Sequence, residues 1–497
     1  MVIATIIPAS TNTTIATCIQ IQVGDIGSQS VAAPWIPTAR ARQARRLRGT
    51  ADYRVGMSAR FRNRAIVAVI LSCALGLAAQ ALLGPVATGL AQPSPTRLSG
   101  INIGGLGYGS TPAEADRSIA LARQLHANVI RTELPWAVFE PTAPGHVNPK
   151  ALAFTDRLMA DASAAGIKVI ATVLATPCWA SSAPAAVISQ CSPTNLSKAN
   201  TWPPSDPSTY AAFVAYLAQR YGSQLAAIEV WNEPDQANEK YFGGTEKAKR
   251  YAALLRSAYP AIKQANGGVT VLAGSLVGSN GVFLRALYAA GIKGYYDALA
   301  VHFYTLTLAG LRSFRQVQLA NGDSKPLWLD EFGWSSCWPK ERIQQEQGCV
   351  TRQVQAANVR DVFRSLARTG YVSAEVLYVL GDRVGEDFGV VSTQGTPKPA
   401  FAALSGALVS PLGSVSRVVV HLRRRGGRLV ASGSGPVGDF MRLEAFAGRT
   451  LRFRAIFTLD RFNRYTIRLP RVLGTRGLRV RVYQFWAGPQ QAAQARI

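Results

Sequence analysis

Residues 226–235 read Ala226-Ala227-Ile228-Glu229-Val230-Trp231-Asn232-Glu233-Pro234-Asp235. A short apolar run breaks at an acid followed by proline, and proline ends a strand because it donates nothing to a ladder. Upstream, Asp206-Pro207-Ser208 has the form of a helix cap, and downstream Gly244-Thr245-Glu246 opens a second helix-period segment. The same motif of strand, loop and helix continues in both directions. Comparable runs stand at Gly100–Gly107, Asn128–Leu134, Lys168–Thr176, Val269–Leu276, Ala298–Tyr304, Pro326–Trp334 and Ala374–Leu380. Ser110-Thr111-Pro112-Ala113-Glu114 starts a further helix, and the glycines of Ala165-Gly166-Ile167 and Thr369-Gly370-Tyr371 end two more. Eight strands alternating with helices over residues 99–410 predict an α/β fold, a closed (β/α)8 TIM barrel. A doubly wound open sheet is the rival. Its phosphate turn is missing, because Gly104-Gly105-Leu106-Gly107-Tyr108-Gly109 lacks the G-x-G-x-x-G spacing.

After Ala407 the pattern changes. Residues 414–490 alternate apolar and polar positions in short runs such as Ser416–Leu422, Leu451–Phe457 and Leu478–Phe485. They predict a small antiparallel β domain, sandwich-like. Charge follows the same division. The net charge of +26 is concentrated at the ends: residues 414–497 hold 17 Arg, no Lys and three acids, while residues 65–413 are nearly balanced. An Arg-rich tail admits an anionic-polymer reading. Arg-favouring codon usage is the plainer one, and no nucleic-acid motif accompanies the tail, so no nucleic-acid partner is expected.

The first hundred residues read as targeting sequence. Met57-Ser58-Ala59-Arg60-Phe61-Arg62-Asn63-Arg64 is basic, residues 65–84 are uncharged and apolar, and Gly89-Leu90-Ala91 offers small residues for cleavage. That order is a secretory signal over residues 57–91, with membrane anchoring expected only if 65–84 stays uncleaved. Residues 1–56 are expected to be disordered or to precede the true start at Met57. A secreted protein is the expectation, and four cysteines would remain after cleavage: Cys178, Cys191, Cys337 and Cys349. Four allow three pairings. The local one, Cys178–Cys191 with Cys337–Cys349, closes two short loops, each worth about 3 kcal/mol in the chain-entropy account. No Cys-x-x-Cys or His cluster accompanies them, so neither a metal nor another cofactor is expected.

Barrels keep their chemistry where strands exit at their C-terminal ends. The fourth strand leaves through Glu233. The seventh leaves through Leu327-Trp328-Leu329-Asp330-Glu331-Phe332-Gly333-Trp334. Two carboxyl groups meeting in one cleft are what glycosidic cleavage requires: one protonated to serve the leaving oxygen, one ionised to attack the anomeric carbon. Indole rings beside them suit the C–H face of a sugar.

Trp231-Asn232-Glu233-Pro234 and Asp330-Glu331-Phe332-Gly333-Trp334 resemble the strand-four and strand-seven signatures of glycoside hydrolase clan A, in the flavour of family 39 and related cellulase-like barrels, over about residues 99–407. The resemblance implies a retaining glycosidase acting on a carbohydrate, with Glu233 as acid/base and Glu331 as nucleophile. It also implies that Asn232 binds the sugar 2-hydroxyl, that His302 and Tyr304 orient substrate and nucleophile, and that Arg131 lies near the nucleophile. Thr396-Pro397-Lys398-Pro399-Ala400 is a joint typical of these barrels. The clan ends strand eight in a Trp that floors the central sugar subsite. Here Val376-Leu377-Tyr378-Val379-Leu380 has none, so Tyr378 or another loop would supply that floor.

Plainer readings stand beside these. Asp330 rather than Glu331 is a candidate nucleophile, and strand alternation lets only one of them face the cleft. Glu229 shares the parity of Glu233 and would need a cation inside the barrel, such as Arg131. His302 could be a core histidine. Trp136, Trp179 and Trp334 fit loop packing as well as sugar platforms. A glycan-binding barrel without catalysis, and an envelope protein binding anionic polymers through its tail, are the rival functions. Oligomeric state is left open.

Overall fold

The computed structural model describes residues 2–6, 97–105, 110–278, 280–305, 307–340, 349–473, 477–485 and 488–497. Eight parallel strands close a barrel in chain order: β1 Leu98–Gly104, β2 Val129–Pro135, β3 Lys168–Leu174, β4 Leu225–Val230, β5 Thr270–Leu276, β6 Ala298–Phe303, β7 Leu327–Phe332 and β8 Val372–Leu377. Each expected strand is present, with shifts of a few residues at the ends. The secretory-signal expectation for residues 57–91 lies outside the described residues. Among those described, no helix is long and apolar enough to cross a membrane.

Local signals explain most of the helices. Thr111 and Glu114 form a reciprocal capping box on helix Pro112–Gln124, and Asp206 caps Pro207–Tyr221 by accepting from the Ser208 N–H. Gly166 takes a φ of 73° after helix Pro149–Ala164, the left-handed stop that glycine tolerates best. One cap differs from expectation. Helix Lys247–Ala265 starts after Glu246, itself left-handed and without a side-chain cap, because the Glu246 carboxylate pairs with Lys249 instead.

Strand parity sorts the core. Outward residues such as Ile228, Val230, Leu299 and Leu329 join the helices in the main cluster, while Val129, Ile170, Ala227, Leu272, Ala298, Ala300 and Trp328 fill the barrel floor. Above that floor the inward positions turn polar: Arg131 on β2, Thr172 on β3, Glu229 on β4 and His302 on β6 are all buried. The alternation fails once where it matters. Val301 pairs with Leu329 but His302 pairs with Glu331, so Asp330 is an extra residue in β7. Such a bulge turns two neighbouring side chains toward one face. Both Asp330 and Glu331 therefore point into the barrel, where unbroken alternation would turn one of them outward.

The C-terminal region is two packed antiparallel sheets around a separate apolar core, as the alternation predicted. Strands β9 Val419–Arg425, β10 Arg428–Ser434 and β13 Arg464–Arg468 form one sheet. The other contains β11 Met441–Ala447, β12 Thr450–Phe457, β14 Leu478–Gln484 and β15 Ala493–Arg496. Val2–Ile6, within the stretch expected to lack structure, pairs antiparallel with β12. The β domain docks on the barrel through an Arg312–Asp439 ion pair, a Thr307 hydroxyl donating to the Gly438 carbonyl at 2.9 Å, and Trp338 edge-on to Phe462 at 5.4 Å.

Candidate active site

Arg131 organises the site. Fully desolvated on β2, its guanidinium donates through Nε to Glu229 at 2.9 Å, through Nη1 to Glu331 at 3.1 Å and through Nη2 to the Asn232 carbonyl oxygen at 2.7 Å. A buried cation is tolerated only when anions surround it. Here the burial that would weaken its protonation is outweighed by Glu229 and Glu331, and the guanidinium stays charged. Glu229 is further held by the hydroxyls of Thr172 and Ser275. Burial alone would neutralise Glu229, but Arg131 prevails and keeps it ionised below the ordinary carboxylate range. Asp330, equally buried and next to that charge, is pushed well above its ordinary range and sits neutral. Arg131 Nε stands 3.7 Å from it and His302 Nε2 3.5 Å, neither in hydrogen-bonding geometry.

Glu233 reaches the same cleft by another route. β4 ends at Val230, then Trp231 and Glu233 both take positive φ, 73° and 46°. These strained turns for non-glycine residues carry the Glu233 carboxyl back over the barrel mouth. Its Oε1 lies 2.8 Å from His302 Nδ1, and its Oε2 accepts from the Gln236 amide. Burial pushes Glu233 up to about 7, with Lys240, Arg131 and Gln236 only partly opposing it. Glu331 has more help: Arg131 on one oxygen and the Tyr304 hydroxyl on the other. Burial also raises Glu331, against the pull of Arg131 and the Tyr304 hydroxyl. Burial lowers His302, so its imidazole is neutral.

The structure brings Glu233, His302 and Glu331 together: one ligating atom from each lies within 4.8 Å of the other two. Glu229, His302 and Asp330 meet the same test below them. Either triad has the donor types of a cation site. Arg131 already supplies a positive charge in contact with Glu229 and Glu331, and a metal there would face it directly.

Two expected sugar contacts are not in the cleft. Trp136 is fully buried, stacked on Phe213 at 5.9 Å and donating its indole N–H to Glu140. Trp334 is buried edge-on to Phe332 at 6.0 Å. Core packing accounts for both. In their place, Tyr304, Tyr378 and Phe388 form a cluster with ring centres 5.7 to 5.8 Å apart beside Glu331. Tyr378 was legible as the residue leaving strand eight. Phe388 lies in a returning loop and carried no spacing signal, nor did Gln236 or the exposed Arg383, whose guanidinium lies 5.9 Å from the Tyr378 ring centre. Asp235 accepts from the backbone of Val277 and Gly278 and anchors the loop after β5. Disulfides Cys178–Cys191 and Cys337–Cys349 are both formed, with Cα atoms 5.8 and 5.0 Å apart.

Residues 203–403, which include Glu233, His302, Tyr304 and Glu331, match the family described as glycosyl hydrolase catalytic core. That match makes this a glycosidase, whose substrate is a carbohydrate. Among solved structures, a family 39 glycoside hydrolase from the gut symbiont Bacteroides cellulosilyticus WH2 is similar in fold, with TM-score 0.50 and 15% identity over 75% of this chain and 81% of that one. The GH39 enzyme from Xanthomonas axonopodis pv. citri gives TM-score 0.45 and 14% identity over 78% and 97% of the two chains. A GH39 β-xylosidase from Caulobacter crescentus gives 0.42 and 18% over 73% and 83%. At 15% identity the likeness to the Bacteroides enzyme is one of fold alone. Curated protein sequences give no match.

Proposed function

We propose that this chain is an exported retaining glycoside hydrolase, with Glu331 as nucleophile and Glu233 as acid/base. One observation carries the reading: carboxyl oxygens of Glu233 and Glu331 lie within 4.8 Å of each other in unlike surroundings. Retention calls for carboxyl groups about 5–5.5 Å apart, whereas inversion needs room for a water between them. Glu331, gripped by Arg131 and Tyr304, is the group suited to carry charge and attack the anomeric carbon. Glu233, shifted to about 7, holds its proton near neutrality and gives it to the leaving oxygen. The resulting Glu233 carboxylate then takes a proton from water as that water displaces Glu331 from the sugar. Asn232, fixed through its carbonyl oxygen by Arg131, has its amide N–H₂ left to donate to a substrate hydroxyl. Two disulfides fit an oxidising compartment, and residues 57–91 would supply the export signal.

The test is chemical rescue. Glu331→Ala should lose turnover of an aryl glycoside, and azide should restore part of it as a glycosyl azide of the opposite anomeric configuration. Undiminished turnover in that variant, or a rescued product that keeps the substrate's configuration, would remove Glu331 from the role.

A further inference from the structure

The outer face of the β9–β10–β13 sheet carries one sign of charge. Val420 and Leu422 of β9, Leu429 and Ala431 of β10, and Tyr465 and Ile467 of β13 face the core. Alternation therefore turns Arg423 and Arg425, Arg428, and Arg464 and Arg468 outward. The register groups them: Arg425 stands opposite Arg428, and Arg423 and Arg468 flank Val430 on either side. Strands lie about 4.8 Å apart and alternate residues about 6.8 Å along them, so Arg423, Arg425, Arg428 and Arg468 fall within roughly two Debye lengths of one another at physiological salt, while Arg464, opposite Ser434, stands toward the other end of the sheet.

No acid answers them. Of the three acids after residue 413, Asp439 pairs with Arg312, Glu444 with Arg454 and Arg481, and Asp460 accepts backbone N–H groups of Phe462 and Arg464. None of the five outward arginines has a carboxylate partner among the described residues. Like charges directly opposite each other weaken a sheet. Arg-favouring codons explain arginine in place of lysine, but not a face that carries five arginines and none of the domain's acids.

We infer that this arginine face docks an acidic polysaccharide, a chain bearing a carboxylate on successive sugars, and holds it to the enzyme. Planar guanidinium forks match carboxylates two bonds at a time. The other outward positions of the face are Val419, His421, Val430, Ser432, Ser434 and Thr466, so beyond the single His421 imidazole it offers no ring to stack on nucleobases, and beyond two valines no apolar side chain for a bilayer. Choosing a polysaccharide among polyanions rests on the glycosidase reading, and binding and hydrolysis are therefore measured separately.

The experiment compares the full-length chain with two triple variants of equal charge: Arg423→Gln/Arg428→Gln/Arg468→Gln on the face, and Arg449→Gln/Arg471→Gln/Arg496→Gln at exposed positions elsewhere on the domain. Affinity for polygalacturonate, neutral xylan, a DNA duplex and phosphatidylglycerol vesicles is measured at low and at physiological salt. We expect polygalacturonate to bind in preference to the other three, to lose at least tenfold in affinity with the face variant and less than threefold with the control, and to weaken with salt. Aryl-glycoside turnover should be unchanged in both. Equal losses in the two variants, no loss in either, or tighter binding of duplex, vesicle or xylan would overturn the inference. Loss of aryl-glycoside hydrolysis by the unmodified chain would instead count against the enzyme reading.

Discussion

The imidazole Nδ1 of His302 lies 2.8 Å from Glu233 Oε1, and the ring is neutral because burial disfavours its cation. A neutral imidazole serves either protonation state of Glu233, accepting from the acid or donating to the carboxylate as its tautomer changes. The acid form of Glu233 is what glycosyl transfer consumes, so kcat/KM should fall as pH rises through about 7. In Glu233→Gln that alkaline limb should vanish, with turnover of a poor leaving group reduced about 10²- to 10⁴-fold and that of a dinitrophenolate, which needs no proton, far less. An unchanged alkaline limb in the variant would assign it to another group.

Much of this was legible in the sequence because it rests on local rules. Strand runs, the Thr111 and Asp206 caps and the Gly166 stop each announce themselves within a few residues, and they suffice to count a barrel. Glu233 and Glu331 were legible because strand exits are where barrels gather side chains. The need of Glu229 for Arg131 followed from parity, and the two are bonded. What could not be read depends on non-local fit. The β7 bulge comes from pairing with β6, so period-two alternation misjudged Asp330. Trp136 and Trp334 are apolar enough for either core or cleft, and only tertiary packing chose the core.

The bulge separates two adjacent carboxyl groups by environment, and that is testable. Asp330 is pushed well above its ordinary range beside the Glu229 carboxylate, and its oxygens accept no hydrogen bond from Arg131 or His302. Asp330→Asn is nearly isosteric and removes no charge, so stability should change by about 1 kcal/mol or less and turnover should stay within tenfold. A loss as deep as that of Glu331→Ala would make Asp330 the nucleophile. Thermal unfolding and aryl-glycoside assays on the two variants decide it.

Among the described residues, Arg131 is the cation that holds Glu229, Asn232 and Glu331 together. Arg131→Met keeps the bulk but leaves Glu229 as an uncompensated buried charge, which should cost about 3–5 kcal/mol. Adding Glu229→Gln should restore much of that stability without restoring activity, since Glu331 would still lack its partner. Urea unfolding of the single and double variants measures the coupling, and additive effects would contradict it.

The Cys178–Cys191 bridge spans 13 residues in the loop that follows β3. Replacing both cysteines by alanine should lower stability by about 3 kcal/mol through the unfolded chain's regained freedom. Activity at 25 °C should survive, and melting under reducing conditions should then drop less for the variant than for the parent. Equal drops would mean that this bridge contributes nothing.

The cost of readying Glu233 should be visible in folding itself. Its folded-state value of about 7 is above the ordinary 4.5, so the native state prefers the protonated carboxyl. Stability from this group is fully present below pH 4.5 and is lost as pH rises to about 7, on the order of 3 kcal/mol in all at 1.36 kcal/mol per pH decade. Glutamine keeps the shape and cannot ionise. Glu233→Gln should therefore match the parent's unfolding free energy near pH 4 and exceed it at pH 8, the gap opening between those limits. Parallel stability curves across that range would mean that Glu233 titrates alike in the folded and unfolded chain, and its assignment as the proton donor would lose its physical basis.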